Sequence, residues 1–254
     1  MSQVFALAVQ HHQARHLSEA EACCKKILVA EPDHANALHL LGIIAFQRKD
    51  YDSCISLIQR SLSFNPQNAQ ALNSLGTVIK AKGNVGKAVE YFQQALTLKP
   101  DYPEAHNNLA MGYHSQGKFD MAVKSYKQML PHKQNSPEVY FGLGNVFFDQ
   151  GNMLEAIVSF KQVISYMPNN ATAHNKLGTA YHSQGKLEEA IQCYKRAISL
   201  MPNFIQPRNN IGCVLCERGE LEAAAISLRY ALKLNPDYAD GHCNLGNVLK
   251  EQGK

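Results

Sequence analysis

Three residue types in this chain recur at spacings that invite chemistry. Cys213 and Cys216 form a Cys-x-x-Cys pair, with His242-Cys243 further along. Thiolates of this kind suit a soft metal, but a structural site needs closed four-fold ligation. The expectation is therefore small half-buried thiols and no metal. Two histidine series follow: His12, His114 and His182, then His106, His174 and His242. The asparagines are the third set and the best lead. They are Asn73, Asn107, Asn108, Asn145, Asn175, Asn209, Asn210, Asn244 and Asn247. A carboxamide carries two donors and an acceptor, so it can grip the backbone of an extended peptide whatever its side chains. Catalytic patterns are missing: no His-Glu-x-x-His, no phosphate loop and no nucleophile elbow. Gly142-Leu143-Gly144 lacks the strand and the third glycine of a dinucleotide fingerprint. No enzyme activity and no cofactor are expected.

These residues are positioned by a repeat. Proline stands at 32, 66, 100, 168, 202 and 236, always 34 residues apart or twice that. Glycine recurs at 42, 76, 144, 178, 212 and 246, and again at 83, 117, 151, 185, 219 and 253. Alanine recurs at 20, 88, 122, 156, 190 and 224. With Met1 as repeat position 1, the units are 1–34, 35–68, 69–102, 103–136, 137–170, 171–204 and 205–238, with a partial unit 239–254. Within Ala171–Phe204, apolar residues follow helical spacing twice. Leu177, Ala180 and Tyr181 mark one helix, and Leu187, Ala190, Ile191, Tyr194 and Ala197 the next. The glycine at repeat position 8 and the alanine at position 20 leave room for two antiparallel helices to cross closely. The glycine at position 15 suits a left-handed helix end, and the proline at position 32 stops the second helix. Acidic residues (Glu188, Glu189, Glu220, Glu222) open some second helices, where the helix dipole favours them. Unit 103–136 departs most: Ala110 replaces the glycine, Gln134 the proline, and Pro131 comes three residues early. Its second helix should end about one turn short, with an irregularity of stacking in the linker Pro131–Pro137.

This pattern resembles the tetratricopeptide repeat family over essentially the whole chain. The units around Asp237–Lys254, with Asn244-Leu245-Gly246-Asn247, look most like bacterial members and the repeat arm of O-linked N-acetylglucosamine transferases. The resemblance implies an all-α, right-handed superhelical solenoid of antiparallel helix pairs, whose first helices line a concave wall. It puts the asparagines at positions 5, 6 and 9 on that wall, and implies binding of a protein or peptide there. It separates the position-12 histidines by whole units, too far for joint metal ligation. The position-4 histidines are expected to pack between helices. Co-chaperone members hold a carboxylate with a lysine at position 5, and no unit here has one: Phe141 stands where it belongs before Asn145. Three readings follow. The chain is an interaction scaffold, or the non-catalytic recruiting arm of a glycosyltransferase, or a module that assembles end to end as a homodimer through Leu245, Val248 and Leu249, which lack a second helix to cover them.

Composition narrows the setting. A net charge of +4, spread without Lys/Arg runs, gives no nucleic-acid footprint. No apolar run is long enough to span a membrane. The start carries no signal peptide, since His11, His12, Arg15 and His16 interrupt the region that would have to be apolar. Seven cysteines then read as reduced thiols in a cytoplasmic protein. The sequon Asn170-Ala171-Thr172 is taken as chance.

Overall fold

The computed structural model describes residues 2–131 and 136–253, and among them it has fifteen α-helices and no strands. They divide into two compact units, Met1–His132 and Lys133–Lys254. In the first, the first helix of each repeat is α1 (Ser2–Gln13), α3 (Ala35–Gln47), α5 (Ala69–Ala81) or α7 (Pro103–Ser115). The second helices are α2 (Leu17–Ala30), α4 (Tyr51–Phe64), α6 (Val85–Leu98) and α8 (Phe119–Lys127). In the second unit the first helices are α9 (Pro137–Asp149), α11 (Ala171–Ser183), α13 (Ile205–Glu217) and α15 (Ala239–Glu251). They alternate with α10 (Met153–Tyr166), α12 (Leu187–Leu200) and α14 (Leu221–Leu234). Each unit is thus the all-helical stack of pairs that the period predicts. No helix among the described residues is long and apolar enough to cross a membrane.

The small residues do the work expected of them. A Cβ on Gly76 would lie 2.5 Å from Phe92 Cε1, and on Gly178 2.7 Å from Tyr194 Cε1. The second helix therefore presses its position-24 side chain directly onto the backbone of the first. Ala88, Ala156, Ala190 and Ala224 are fully buried beside it. Between the helices of a pair, the chain turns through a left-handed residue, Gly185 at φ 71° for example. Arg15 and Lys49 adopt the same conformation at φ 62° and 63°, with a Cβ that disfavours it.

The fourth second helix is short: α8 has 9 residues where α6 has 14. Pro131 has no N–H for the carbonyl of Lys127, and its ring clashes with that carbonyl in a continued helix. The chain tightens instead into i→i+3 bonds, Met129 N to Tyr126 O at 3.0 Å and Leu130 N to Lys127 O at 3.2 Å. The expected shortening is present. Residues 132–135 of the linker, and with them the expected irregularity of stacking, lie outside the described residues.

Two expectations are corrected. The position-4 histidines do not pack between helices. His106, His174 and His242 each place Nε2 within 2.9, 2.9 and 2.7 Å of the carbonyl of Pro100, Pro168 and Pro236. Arg208 donates to Pro202 O from the same position. The residue thus clasps the turn that feeds its own helix, at its solvent edge. The second correction concerns α15. Val248 is 1% exposed, packed with Ala224, Ala225 and Leu228, and Leu245 and Leu249 are half-buried. The preceding repeat covers Val248 and Leu245, because α15 rests on α14.

Candidate functional site

Successive first helices pack on one another directly: α1, α3, α5 and α7 in turn in the first unit, and α11, α13 and α15 in the second. Within each unit, α2, α4, α6, α10, α12 and α14 instead pack against the first helices before and after them. The first helices are therefore the closely spaced row of each unit. Their positions 5, 6, 9 and 12 share one helix face and form its wall.

The asparagines sort into two layers of that wall. Asn108 donates from Nδ2 to Asn73 Oδ1 at 3.0 Å, Asn210 to Asn175 at 3.3 Å, and Asn244 to Asn209 at 2.9 Å. Position 6 of one repeat thus clasps position 5 of the repeat before. The accepting residues lie deep: Asn73 and Asn175 are 9% exposed and Asn209 5%. The donors Asn108, Asn210 and Asn244 are half-buried and stand on the wall. Asn107 is half-buried, its amide 3.6 Å from Met111 Sδ. Asn145 is half-buried, and its Oδ1 has no partner among the described residues. Asn247 is exposed. The nine predicted residues therefore comprise three that hold the wall together from beneath and six that it displays.

The same register contains residues the asparagine pattern missed. His39 and Ser74 occupy positions 5 and 6 of successive repeats, with Nε2 and Oγ 3.0 Å apart. Burial pushes the His39 imidazole down to about 4, so it is neutral near pH 7. Thr77 and Thr179 donate their hydroxyls to the carbonyls of Asn73 and Asn175. A lone asparagine count cannot find such pairs. Comparing position 6 of each repeat with position 5 of the one before would have done so.

The cysteines carry no comparable site. Cys213 and Cys216 are half-buried and Cys243 is exposed. Burial raises the Cys213 thiol, which opposes the thiolate a metal would need. Among the described residues, no three His, Cys, Asp or Glu side chains converge on a metal position. Of the position-12 histidines, His182 sits 2.7 Å from Glu217 Oε1 of the next repeat.

Two cavities open on the wall. One, of about 630 Å³, lies in the second unit over Leu228 and is lined by Cys213, Cys216, Asn244, Asn247 and Lys250. The other, of about 180 Å³, lies in the first unit over Ile58 and is lined by Ile43, Phe46, Asn73, Ser74 and Thr77. Both stand where position 24 is aliphatic. Phe92, Phe160 and Tyr194 hold that position in other repeats, each fully buried.

The comparisons with known proteins agree with this architecture. The pattern described as TPR repeat matches residues 79–111, 112–151, 144–185 and 212–253. Patterns described as tetratricopeptide repeat match 171–204 and 5–69. No curated protein matches. Among solved structures, a chain of an APC/C hetero-tetramer is 18% identical with a TM-score of 0.72; it is matched over 95% of this chain, which spans 48% of its length. A tetratricopeptide repeat protein from Parabacteroides merdae is 18% identical with a TM-score of 0.70, covering 98% of both chains. YrrB, whose structure is described as that of a TPR protein with an unusual peptide-binding site, is 16% identical with a TM-score of 0.59, over 72% of this chain and 95% of its own. At these identities the structures show a shared fold. The repeat pattern itself runs through most of the sequence, and the chain belongs to the tetratricopeptide repeat family.

Proposed function

We propose that this chain is an interaction scaffold that binds an extended peptide along the first-helix wall of a unit. The supporting observation is the two-layer asparagine arrangement. A buried amide at position 5 fixes the amide above it at position 6, so Asn108, Asn210 and Asn244 meet a ligand already oriented. Preorganised carboxamides lose little side-chain entropy on binding. The peptide-binding site ascribed to YrrB, on the same fold, adds weight. The remaining predicted wall residues, Asn107, Asn145 and Asn247, would contribute peripheral contacts.

The test selects peptides from a displayed random library on the whole chain, then measures affinity for N108A, N210A and N244A. N108A should weaken peptides seated on the first unit, and N210A and N244A those seated on the second, each roughly tenfold, the value of one or two lost amide bonds, with helix content unchanged. Equal affinity in all three would remove the asparagines from the wall's function. A recruiting arm of a glycosyltransferase is a narrower form of the same reading, favoured by the asparagine row alone. End-to-end assembly would have to use Leu245 and Leu249, which are half-buried, because Val248 is buried. Seven free thiols suit a reducing compartment such as the cytoplasm.

A further inference from the structure

The cavity over Ile58 has a physical origin in the repeat itself. Tyr194, at the same position, reaches across its layer to the Thr179 hydroxyl at 3.4 Å. In the repeat that contains Ile58, the residue corresponding to Thr179 is Ile43, which lines the cavity. The hole is therefore the volume of an absent aromatic ring. Its floor is Cys54 and Ile58 of α4, both almost fully buried, and its rim is half-buried Ile43, Phe46, Ser74 and Thr77. About 180 Å³ compares with the roughly 150 Å³ of an apolar cavity that holds benzene, so a bulky apolar side chain fits.

One turn along α5 from Thr77 stands Lys80. It is half-buried, its ammonium 6.0 Å from the centre of the Phe92 ring. Among the described residues it is paired with no carboxylate. Burial lowers its pKa, the mark of a cation short of water and counter-charge. The surroundings are otherwise nearly neutral. Across α1, α3, α5 and α7, the only Asp, Glu, Lys or Arg residues are Lys80 and Glu104.

We propose that the Ile58 cavity and Lys80 form one recognition subsite for an internal peptide segment in which a bulky apolar residue lies within two positions of an aspartate or glutamate. The apolar side chain enters the cavity in place of the absent ring, and the carboxylate takes Lys80. One helical turn is about 5.4 Å, and an extended chain rises about 3.3 Å per residue, which sets the spacing. The inference rests on the reading of the wall as a peptide-binding surface. It adds which peptides the first unit selects.

The experiment is selection of acetylated and amidated random dodecapeptides on the whole chain, followed by affinity measurement on variants. Enrichment of an apolar residue paired with Asp or Glu is expected. I58F places in the second repeat the ring that Phe92 carries in the third, facing Gly42 as Phe92 faces Gly76, and should cut affinity at least tenfold. Should I58F lose its fold, I43F fills the cavity from its half-exposed rim and should give the same loss. K80E should reject the selected peptide and regain affinity when its acidic residue is replaced by lysine. Enriched peptides without the pair, binding that requires a free C-terminal carboxylate, or unchanged affinity in a folded cavity-filling variant would overturn the subsite. If N108A weakens binding while I58F and K80E do not, the subsite alone is wrong. If none of the three changes affinity, the peptide-binding wall falls with it.

Discussion

His39 shows how one substitution within a repeated register acquires its own chemistry. Position 5 holds asparagine in four repeats and histidine in the second; His39 is used as Asn73, Asn175 and Asn209 are, as the buried partner of position 6 of the next repeat. Unlike an amide, the imidazole titrates. Its folded value is pushed down to about 4 by burial, against an ordinary value near 6.5. Above about pH 6.5 the ring is neutral folded or unfolded, and its contribution is complete. As pH falls from there toward 4 the unfolded chain takes up the proton and the folded chain does not, so stability is lost across that window. The loss approaches about 3 kcal/mol at pH 4. Chemical denaturation of the whole chain and of H39N at several pH values checks this. The variant should be markedly less sensitive between pH 6.5 and 4, and parallel curves would count against a neutral buried His39. The sequence disclosed the residue types here but not the pairing, because the partners lie 35 residues apart and only the stacking of layers brings them together.

At the scale of helices, nearly everything about the fold was legible. The period set the pairs, and Pro131 shortened α8 as expected. The histidines at position 4 were not legible, because their bond runs to a carbonyl in the preceding turn and leaves no mark in apolar spacing. The turn between α3 and α4 offers a direct test of the helix-end argument. Lys49 holds φ 63° where most repeats have glycine. A left-handed residue with a Cβ costs about 1 kcal/mol, and glycine relieves that strain while gaining freedom in the unfolded chain. Lys49→Gly should therefore stabilise the protein by a few tenths of a kcal/mol up to about 1 kcal/mol. The urea midpoint should rise at constant slope. A fall in midpoint would mean that the lysine side chain contributes more than its backbone costs.

On the scale of the molecule, contacts are between neighbours in the stack, and this governs how damage spreads. α3 packs with α4, α2 and α5, and α8 packs with α7. The wall's asparagines were visible in the sequence as a row, but its cavities were not, because a cavity is a missing volume and appears only when Ile58 is compared with Phe92 in three dimensions. A quasi-one-dimensional array should keep a local lesion local. Gly42→Val supplies the lesion: a Cβ there would lie 2.6 Å from Ile58 Cγ1, and the two γ-methyls it carries tighten the fit further. Overpacking of this kind costs about 1–3 kcal/mol. Amide exchange should accelerate in α3 and α4 first, and less in α2 and α5. In α7 and α8, which share no layer with Gly42, it should stay near the wild-type rate. Uniform acceleration from α1 through α8 would mean that the first unit opens only as a whole, and that its layers are bound more cooperatively than nearest-neighbour packing requires.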